Sequence, residues 1–181
     1  MHAVLFLTVV AVVDLMTASC ATIQRAAPIV LSDADIVWIM NTADTNHIER
    51  GRMAEARGVN SVVQEFGRSM IAGHRVLLKE RTTLSHRFTI RPVAPALGVE
   101  LTEKHEEALK TLNEKTGTDF DRNYLDYEIE MHSRLVDLVG KAARTVNHVA
   151  LKAHLRQTQP LLQKHLDRAR NVRRDLLAQT H

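Results

Sequence analysis

The stretch SDADIVWIMNTADTNHIERGRMAEARG, residues 32–58, decides the fold of this chain. Ser32 is a preferred helix N-cap, and the aspartates that follow it suit the positive end of a helix dipole. Apolar or small residues then recur at the three- and four-residue spacings of one helix face, at Ile36, Met40, Ala43, Gly51 and Ala54. Gly58 has the conformational freedom that the residue after a helix requires. The stretch therefore predicts a long amphipathic helix, helix A, over residues 33–57.

The same helical spacing returns in three further long segments and in one shorter segment. The long helices B, D and E should begin near residues 60, 118 and 147, and helix B should end near residue 87. A shorter helix C should begin at the cap residue Thr102 and stop at Gly117. Pro160 lies inside helix E and should bend it, because proline removes one backbone hydrogen bond.

The order of these helices predicts the fold class. Short connections make helix A antiparallel to helix B and helix D antiparallel to helix E. The chain has only four prolines and seven glycines, and no segment shows the sustained alternation of a strand. We therefore expect an all-α four-helix bundle of two antiparallel helical hairpins, with a short extra helix in the connection. The bundle domain should span residues 33–176, followed by a frayed tail over residues 177–181.

An apolar leader precedes the bundle. Residues 3–13 are apolar apart from one threonine, which is too short a run for a bilayer span of about 20 residues but suits a secretory signal. Small residues stand directly before Cys20, the only cysteine, as at a bacterial lipoprotein processing site. We expect a signal peptide over residues 1–20 and a tether over residues 21–32. The protein should be exported to the periplasm or attached to the outer membrane through lipidated Cys20. An uncleaved N-terminal helix is the alternative, because no Lys or Arg precedes the apolar run.

Charge and motifs argue against several function classes. A formal net charge of +3 is small, and a nucleic-acid site needs a clustered basic stripe, so we expect no nucleic-acid partner. The densest basic cluster is typical of a solvated helix C-terminus, with contact to anionic lipid headgroups or to nucleic acid as the alternative. It consists of Arg168, Arg170, Arg173 and Arg174. The chain contains no nucleophile elbow, phosphate loop or dinucleotide fingerprint.

Histidines on the buried stripes are the main candidates for a functional site. Each of the four long helices places one histidine at the phase of its apolar residues, and their depths along the hairpins agree to within about one turn. Glu128 lies four residues before His132 and therefore points the same way. Imidazole nitrogen and carboxylate oxygen are suitable ligands for zinc, iron and copper. The candidate metal ligands are His47, His74, His132, His165 and Glu128; His105 and His154 are weaker candidates, and Glu49 should face solvent.

Three interpretations of this histidine layer remain open. The first is a non-enzymatic binding or structural protein, in which a buried polar layer fixes the helix register. The second is a protein that binds a transition metal such as Zn, Fe or Cu, and that should lose the metal as pH falls through about 6.5. The third is an oxidase or catalase-like enzyme, although these stripes lack the Glu-x-x-His motifs of a di-iron site. The sequence favours the first interpretation.

Four pieces of the chain carry a family resemblance. They are HIERGRMA (47–54), VQEFGRSM (63–70) leading to His74, FDRNY (120–124) ahead of His132, and PLLQKHL (160–166). Over about residues 33–172 the chain resembles the bacterial envelope family known as domain of unknown function 4142. The resemblance implies an exported, ferritin-like helical bundle without a known reaction. That family usually carries glutamate at the position of His47 and aspartate at that of Gly73, so a metal site here should be richer in nitrogen, or absent.

Overall fold

The computed structural model describes residues 31–178, and within that range the chain forms five α-helices and no strand. The helices are α1 (Asp33–Arg57), α2 (Ser61–Arg87), α3 (Ala96–Glu114), α4 (Gly117–Thr145) and α5 (Val149–Ala178). The all-α prediction is confirmed, and α1 and α2 have the bounds expected for helices A and B. The predicted leader with Cys20, the tether up to residue 30 and residues 179–181 lie outside the described residues. None of the helices in residues 31–178 is long and apolar enough to cross a membrane.

Side-chain caps start the first two helices. The hydroxyl of Ser32 accepts a hydrogen bond from the backbone N–H of Asp35 over 3.2 Å, and the Asp35 carboxylate accepts one from the backbone N–H of Ser32 over 2.8 Å. This reciprocal pair satisfies two donors that the first turn of a helix leaves free. The side chain of Asn60 caps α2 by accepting a hydrogen bond from the backbone N–H of Val62 over 2.9 Å.

Each hairpin turn is held by an aspartate of the other hairpin. Two backbone N–H groups in the α1–α2 turn donate to Asp121, near the start of α4, over 3.2 and 2.8 Å. Two in the α4–α5 turn donate to Asp33, at the start of α1, over 2.9 and 2.8 Å. The first helix of each hairpin therefore begins beside the turn of the other hairpin, so that α1 and α4 run in opposite directions.

Two glycines bring α1 and α2 close together. A Cβ atom added at Gly67 would lie 2.7 Å from the backbone oxygen of Gly51, and one added at Gly51 would lie 2.9 Å from the backbone oxygen of Gly67. Only residues without a side chain fit such a backbone approach. The close contact fixes the depth at which the C-terminal half of α1 meets the N-terminal half of α2.

The connecting helix α3 differs from the prediction. It has 19 residues and begins after Pro95, so it is longer than expected, and Thr102 lies inside it rather than at its cap. The Thr102 hydroxyl donates to the backbone oxygen of Gly98 over 3.0 Å. Gly98 leaves room for the ring of Trp38, which a Cβ atom would approach to 2.5 Å, and this packing holds the first turn of α3. Gly117 opens α4 with a positive φ of 59°, whereas α3 already ends at Glu114.

The apolar core has two parts, one on each side of a polar layer. In one part, the start of α1 packs with the end of α2, the end of α4 and the start of α5. In the other part, the end of α1 packs with the starts of α2 and α4 and with the end of α5. The residues buried between the two parts include Asp44, His47, Arg50, His74, Glu128 and His132. The helices thus present a polar layer at mid-depth, where the sequence predicts the histidines to meet.

Candidate metal centre

Four imidazole rings from four helices meet in this layer. The ring of His47 lies 4.4 Å from that of His74 and 4.3 Å from that of His132, measured between centroids. The rings of His74 and His132 are 5.4 Å apart, and the His165 ring lies 5.1 Å from the first and 5.5 Å from the second. The helical phases and depths read from the sequence therefore predicted this convergence correctly.

Three of these histidines are placed to share one metal ion. His47, His74 and His132 each offer one ring nitrogen, and the three nitrogens lie within 4.8 Å of one another. All three residues are at most 1% exposed. Imidazole ligands of one zinc ion lie about 2.0–2.1 Å from it, so nitrogens this close can be bridged after small side-chain movements.

Hydrogen bonds decide which nitrogen each ring offers. The Nδ1–H of His74 donates to Oδ1 of Asp44 over 2.8 Å, and that of His132 donates to the backbone oxygen of Glu128 over 2.9 Å. A carboxylate or carbonyl oxygen only accepts, so Nδ1 carries the proton in each ring. In the neutral imidazole Nε2 then bears a free lone pair, which is the form that binds a metal.

His47 follows the same pattern. Its Nδ1 lies 2.7 Å from Oε2 of Glu128 and 3.0 Å from Nη2 of Arg50. Arg50 donates to the same carboxylate through Nε. We assign the proton to Nδ1, because the other tautomer would set the Nδ1 lone pair against a carboxylate oxygen only 2.7 Å away. Nε2 of His47 is therefore also left to a ligand. Metal-binding histidines are commonly oriented through such a second nitrogen, by a carboxylate or a carbonyl oxygen.

The Nε2 atoms of His74 and His132 lie only 3.3 Å apart. With both protons on Nδ1, neither Nε2 atom can donate to the other. A hydrogen bond between them would need an added proton on one ring, and the lowered pKa of His74 opposes a proton on that ring. A metal with bonds of about 2.0–2.1 Å and tetrahedral angles holds its ligand nitrogens about 3.3–3.4 Å apart. The observed separation fits a shared ion.

Each supporting carboxylate is paired with a buried arginine. Nη1 of Arg81 donates to Oδ2 of Asp44 over 2.6 Å, and Nε of Arg50 donates to Oε1 of Glu128 over 2.9 Å. All four side chains are at most 1% exposed. The two arginines balance the two carboxylates, so the layer has no net charge while its histidines are neutral.

The pKa values follow from burial and from these pairs. Burial lowers the pKa of His47 well below its usual 6.5, although the charge of Glu128 acts in the opposite direction. Burial also lowers the pKa of His74, and here the hydrogen bond to Asp44 acts in the opposite direction. Burial alone would raise the pKa of Glu128, but His47 and Arg50 outweigh it and hold that pKa well below 4.5. Glu128 is thus ionised and these two imidazoles are neutral at pH 7.

His165 belongs to the layer in a different way. It is more exposed than the other three, its Nδ1 is buried without a hydrogen-bond partner, and burial beside His74 and His132 lowers its pKa to about 3. A Cβ atom added at Gly73 would lie 2.9 Å from Cε1 of the His165 ring. A larger side chain at position 73 would collide with that ring.

Apart from Glu128, the sequence predictions miss the charged residues of the layer. Asp44 and Arg50 each lie three residues from His47, and Arg81 lies seven residues after His74, so their helical spacing could have revealed them. Glu49 is half-exposed as predicted, but its carboxylate accepts a hydrogen bond of 2.9 Å from His105. His105 also contacts Nη1 of Arg50 over 2.8 Å, so it joins the edge of the network rather than the group of converging rings.

The fold and the histidine layer define a helical-bundle protein with a candidate metal centre. The chain belongs to the family described as domain of unknown function 4142, whose model matches residues 18–172. Its fold is similar to that of a solved structure named "CopM in the Cu(II)-bound form", with a TM-score of 0.65 and 14% sequence identity, over 81% of this chain and 99% of that one. No curated protein matches the sequence.

Proposed function

We propose that this protein binds one transition-metal ion through the Nε2 atoms of His47, His74 and His132. The observation that carries the proposal is the 3.3 Å separation of the Nε2 atoms of His74 and His132, whose Nδ1 atoms both face oxygen acceptors. This proposal prefers the metal-binding interpretation of the histidine layer to the structural one that the sequence favours. In this proposal Glu128 and Asp44 orient the histidines through Nδ1 and do not themselves bind the ion.

Copper is the ion that we propose first. Imidazole nitrogens suit copper, zinc, iron and nickel, and among divalent ions copper binds nitrogen sites most strongly. The similar structure of CopM contains Cu(II), which supports the same choice on a related fold. The layer is neutral, so it does not compensate the charge of a bound ion. Burying one uncompensated charge costs less than burying two. This favours Cu(I) over Cu(II), unless an anion binds together with Cu(II).

The test is metal binding by the untagged protein. Titration with Cu(II), with Cu(I) under reducing conditions, and with Zn(II), followed by elemental analysis after gel filtration, should give one ion per chain. His132→Ala and His74→Ala should each abolish stoichiometric binding and keep the helical circular dichroism spectrum. His154→Ala is the matched control, because His154 is also a buried histidine but lies outside the set that can share an ion. Failure of the wild-type protein to bind any of these ions overturns the proposal.

A structural role is the second candidate. The buried pairs Asp44–Arg81 and Arg50–Glu128 join α1 to α2 and to α4, and such pairs fix the depth at which helices meet. If this is the whole role, His132→Ala lowers stability by roughly 1–3 kcal/mol through unpaired buried partners. The wild-type protein then binds no metal, which separates the two candidates in the same set of titrations.

Export completes the proposed function. The apolar leader and Cys20 lead us to propose a bacterial envelope protein, held at the membrane by a lipid on Cys20, with its helices arranged as in ferritin-like bundles. Mass spectrometry of the N-terminus from the native host is the test. A chain that begins with acylated Cys20 supports the proposal, and a cytoplasmic chain that retains Met1 contradicts it.

A further inference from the structure

We propose that His165 is the access ligand of the metal centre: it receives the ion at the α2–α5 side of the bundle and passes it to the buried histidines. This inference rests on the proposed function and adds a route and a role. The route begins where Gly73 leaves space beside the His165 ring. His165 lies outside the group of three histidines whose nitrogens are within 4.8 Å of one another, so its ring must turn toward them before it becomes a fourth ligand.

A metal ion in solvent has no direct access to the three buried histidines. His47, His74 and His132 are between 0% and 1% exposed, so none of them meets an ion in solvent. The two parts of the apolar core close the layer along the bundle axis on both sides. An ion must therefore cross the layer from the side, between two helices.

The α2–α5 side is the one at which a metal-binding group reaches the surface. His165 is only partly buried, and its ring lies 5.1 Å from that of His74 and 5.5 Å from that of His132. It thus connects the surface to two of the proposed ligands. On another side, His105 is engaged by Arg50 and Glu49, and the Arg50 cation stands between it and the centre, where it would repel an incoming ion.

His165 has the free nitrogen that such a role requires. Its Nδ1 is buried and has no hydrogen-bond partner, whereas Nδ1 of each of the other three rings has one. A buried polar atom without a partner is costly unless something binds to it. No hydrogen bond to Nδ1 holds this ring in one orientation, which suits a ligand that must turn to move an ion.

Gly73 makes room for this ring. A Cβ atom at position 73 would lie 2.9 Å from Cε1 and 3.1 Å from Nε2 of His165, closer than ordinary van der Waals contact. The glycine therefore lets the His165 imidazole lie against the backbone of α2, beside His74. Any larger residue would displace the ring from this position.

Stopped-flow mixing of the full chain with Cu(I) under reducing conditions, and with Cu(II), tests the role of His165. His165→Ala should still bind one ion, because the three buried ligands remain, but binding should slow by about tenfold or more and the affinity should fall by about 10–100-fold. His154→Ala, on the same helix, should bind at the wild-type rate. If His165 only blocks the route, its removal opens a path and binding becomes faster; an unchanged or faster rate overturns the inference.

Gly73→Ala provides a second test that keeps the imidazole in the chain. The added methyl group should displace the His165 ring and slow copper binding in the same direction as His165→Ala, and the double variant should be no slower than the slower single variant. Wild-type rates in Gly73→Ala contradict the inference. One combination of results separates the two proposals. If His132→Ala loses copper binding but His165→Ala binds at the wild-type rate, the proposed metal site is supported and only the access role of His165 is contradicted. A wild-type chain that binds no copper overturns both.

Discussion

His74 and His132 face each other through unprotonated Nε2 atoms that are 3.3 Å apart. Their protons are fixed on Nδ1, by Asp44 in one ring and by the backbone oxygen of Glu128 in the other. While both rings are neutral, two lone pairs therefore oppose each other between fully buried side chains. The metal-free protein keeps this repulsion, whereas a bound ion turns both atoms into ligands, so metal binding and folding should be coupled.

The first prediction concerns metal and thermal stability. An ion that binds only the folded chain stabilises it by about 2.7 kcal/mol when its free concentration is 100 times Kd. For a domain of this size we expect the thermal midpoint to rise by about 5–10 °C. Differential scanning calorimetry with and without copper is the measurement. His132→Ala should show no such rise, and an equal rise in this variant would mean that copper binds elsewhere.

The second prediction concerns pH and the metal-free protein. Burial lowers the pKa of His47, His74 and His165 in the folded chain, to about 3 for His165, whereas the unfolded chain takes up protons near 6.5. Unfolding is therefore favoured as pH falls below about 6.5, by at most about 1.4 kcal/mol per pH unit for each such histidine. The lowered pKa of Glu128 acts in the same direction below its unfolded value of 4.5.

Urea unfolding at pH 8.0, 7.0, 6.0 and 5.0 measures this effect. The free energy of unfolding should be level between the first two values and should fall between the last two. His165→Ala should lose stability less steeply, because one of the resisting imidazoles is gone. Equal stability at pH 5.0 and 7.0 would show that these histidines are protonated in the folded protein. Protons compete with the metal for the imidazole nitrogens. Because the pKa values of these histidines are lowered, the protein should retain the metal at pH values below the 6.5 expected from the sequence.

The third prediction concerns the close approach of α1 and α2. Gly67→Ala places a methyl group 2.7 Å from the backbone oxygen of Gly51, which cannot move without shifting α1. Overpacking of this kind costs about 1–3 kcal/mol. Gly140→Ala is the matched control, because its nearest neighbour at 2.7 Å is the flexible amide end of Gln159. Alanine is also favoured over glycine in a helix by about 1 kcal/mol, so the control should be neutral or stabilising in urea unfolding.

The helical stripes made the positions of the histidines predictable, but not their chemistry. Phase and depth depend on the regular rise of a helix, so His47, His74, His132 and His165 could be placed in one layer from the sequence. Asp44 decides the tautomer of His74 from another helix, and no local pattern shows such a contact. The sequence also could not show that Pro95 starts α3 early, because that depends on Trp38 packing against Gly98.

The fourth prediction compares two ion pairs of equal length in opposite surroundings. Arg81 donates to Asp44 over 2.6 Å with both side chains fully buried, and Lys141 donates to Asp137 over 2.6 Å with both about two-thirds exposed. Asp44→Ala leaves the Arg81 cation buried without its partner, and such a change costs about 3–5 kcal/mol. Asp137→Ala removes a pair that solvent screens, so it should cost at most about 1 kcal/mol.

Urea unfolding at pH 7 compares the two variants, and both replace an aspartate by alanine within a helix, so helix propensity cancels. Equal losses would mean that solvent reaches Arg81. Asp44→Asn separates charge from orientation, because an amide oxygen can still accept the Nδ1 proton of His74 while the carboxylate charge is lost. We expect this variant to fold less stably than the wild type and to bind copper about 10–100-fold more weakly, as substitutions of groups that orient metal-binding histidines commonly do. Unchanged copper affinity in Asp44→Asn would show that the charge of Asp44 balances the charge of Arg81 but does not contribute to copper binding.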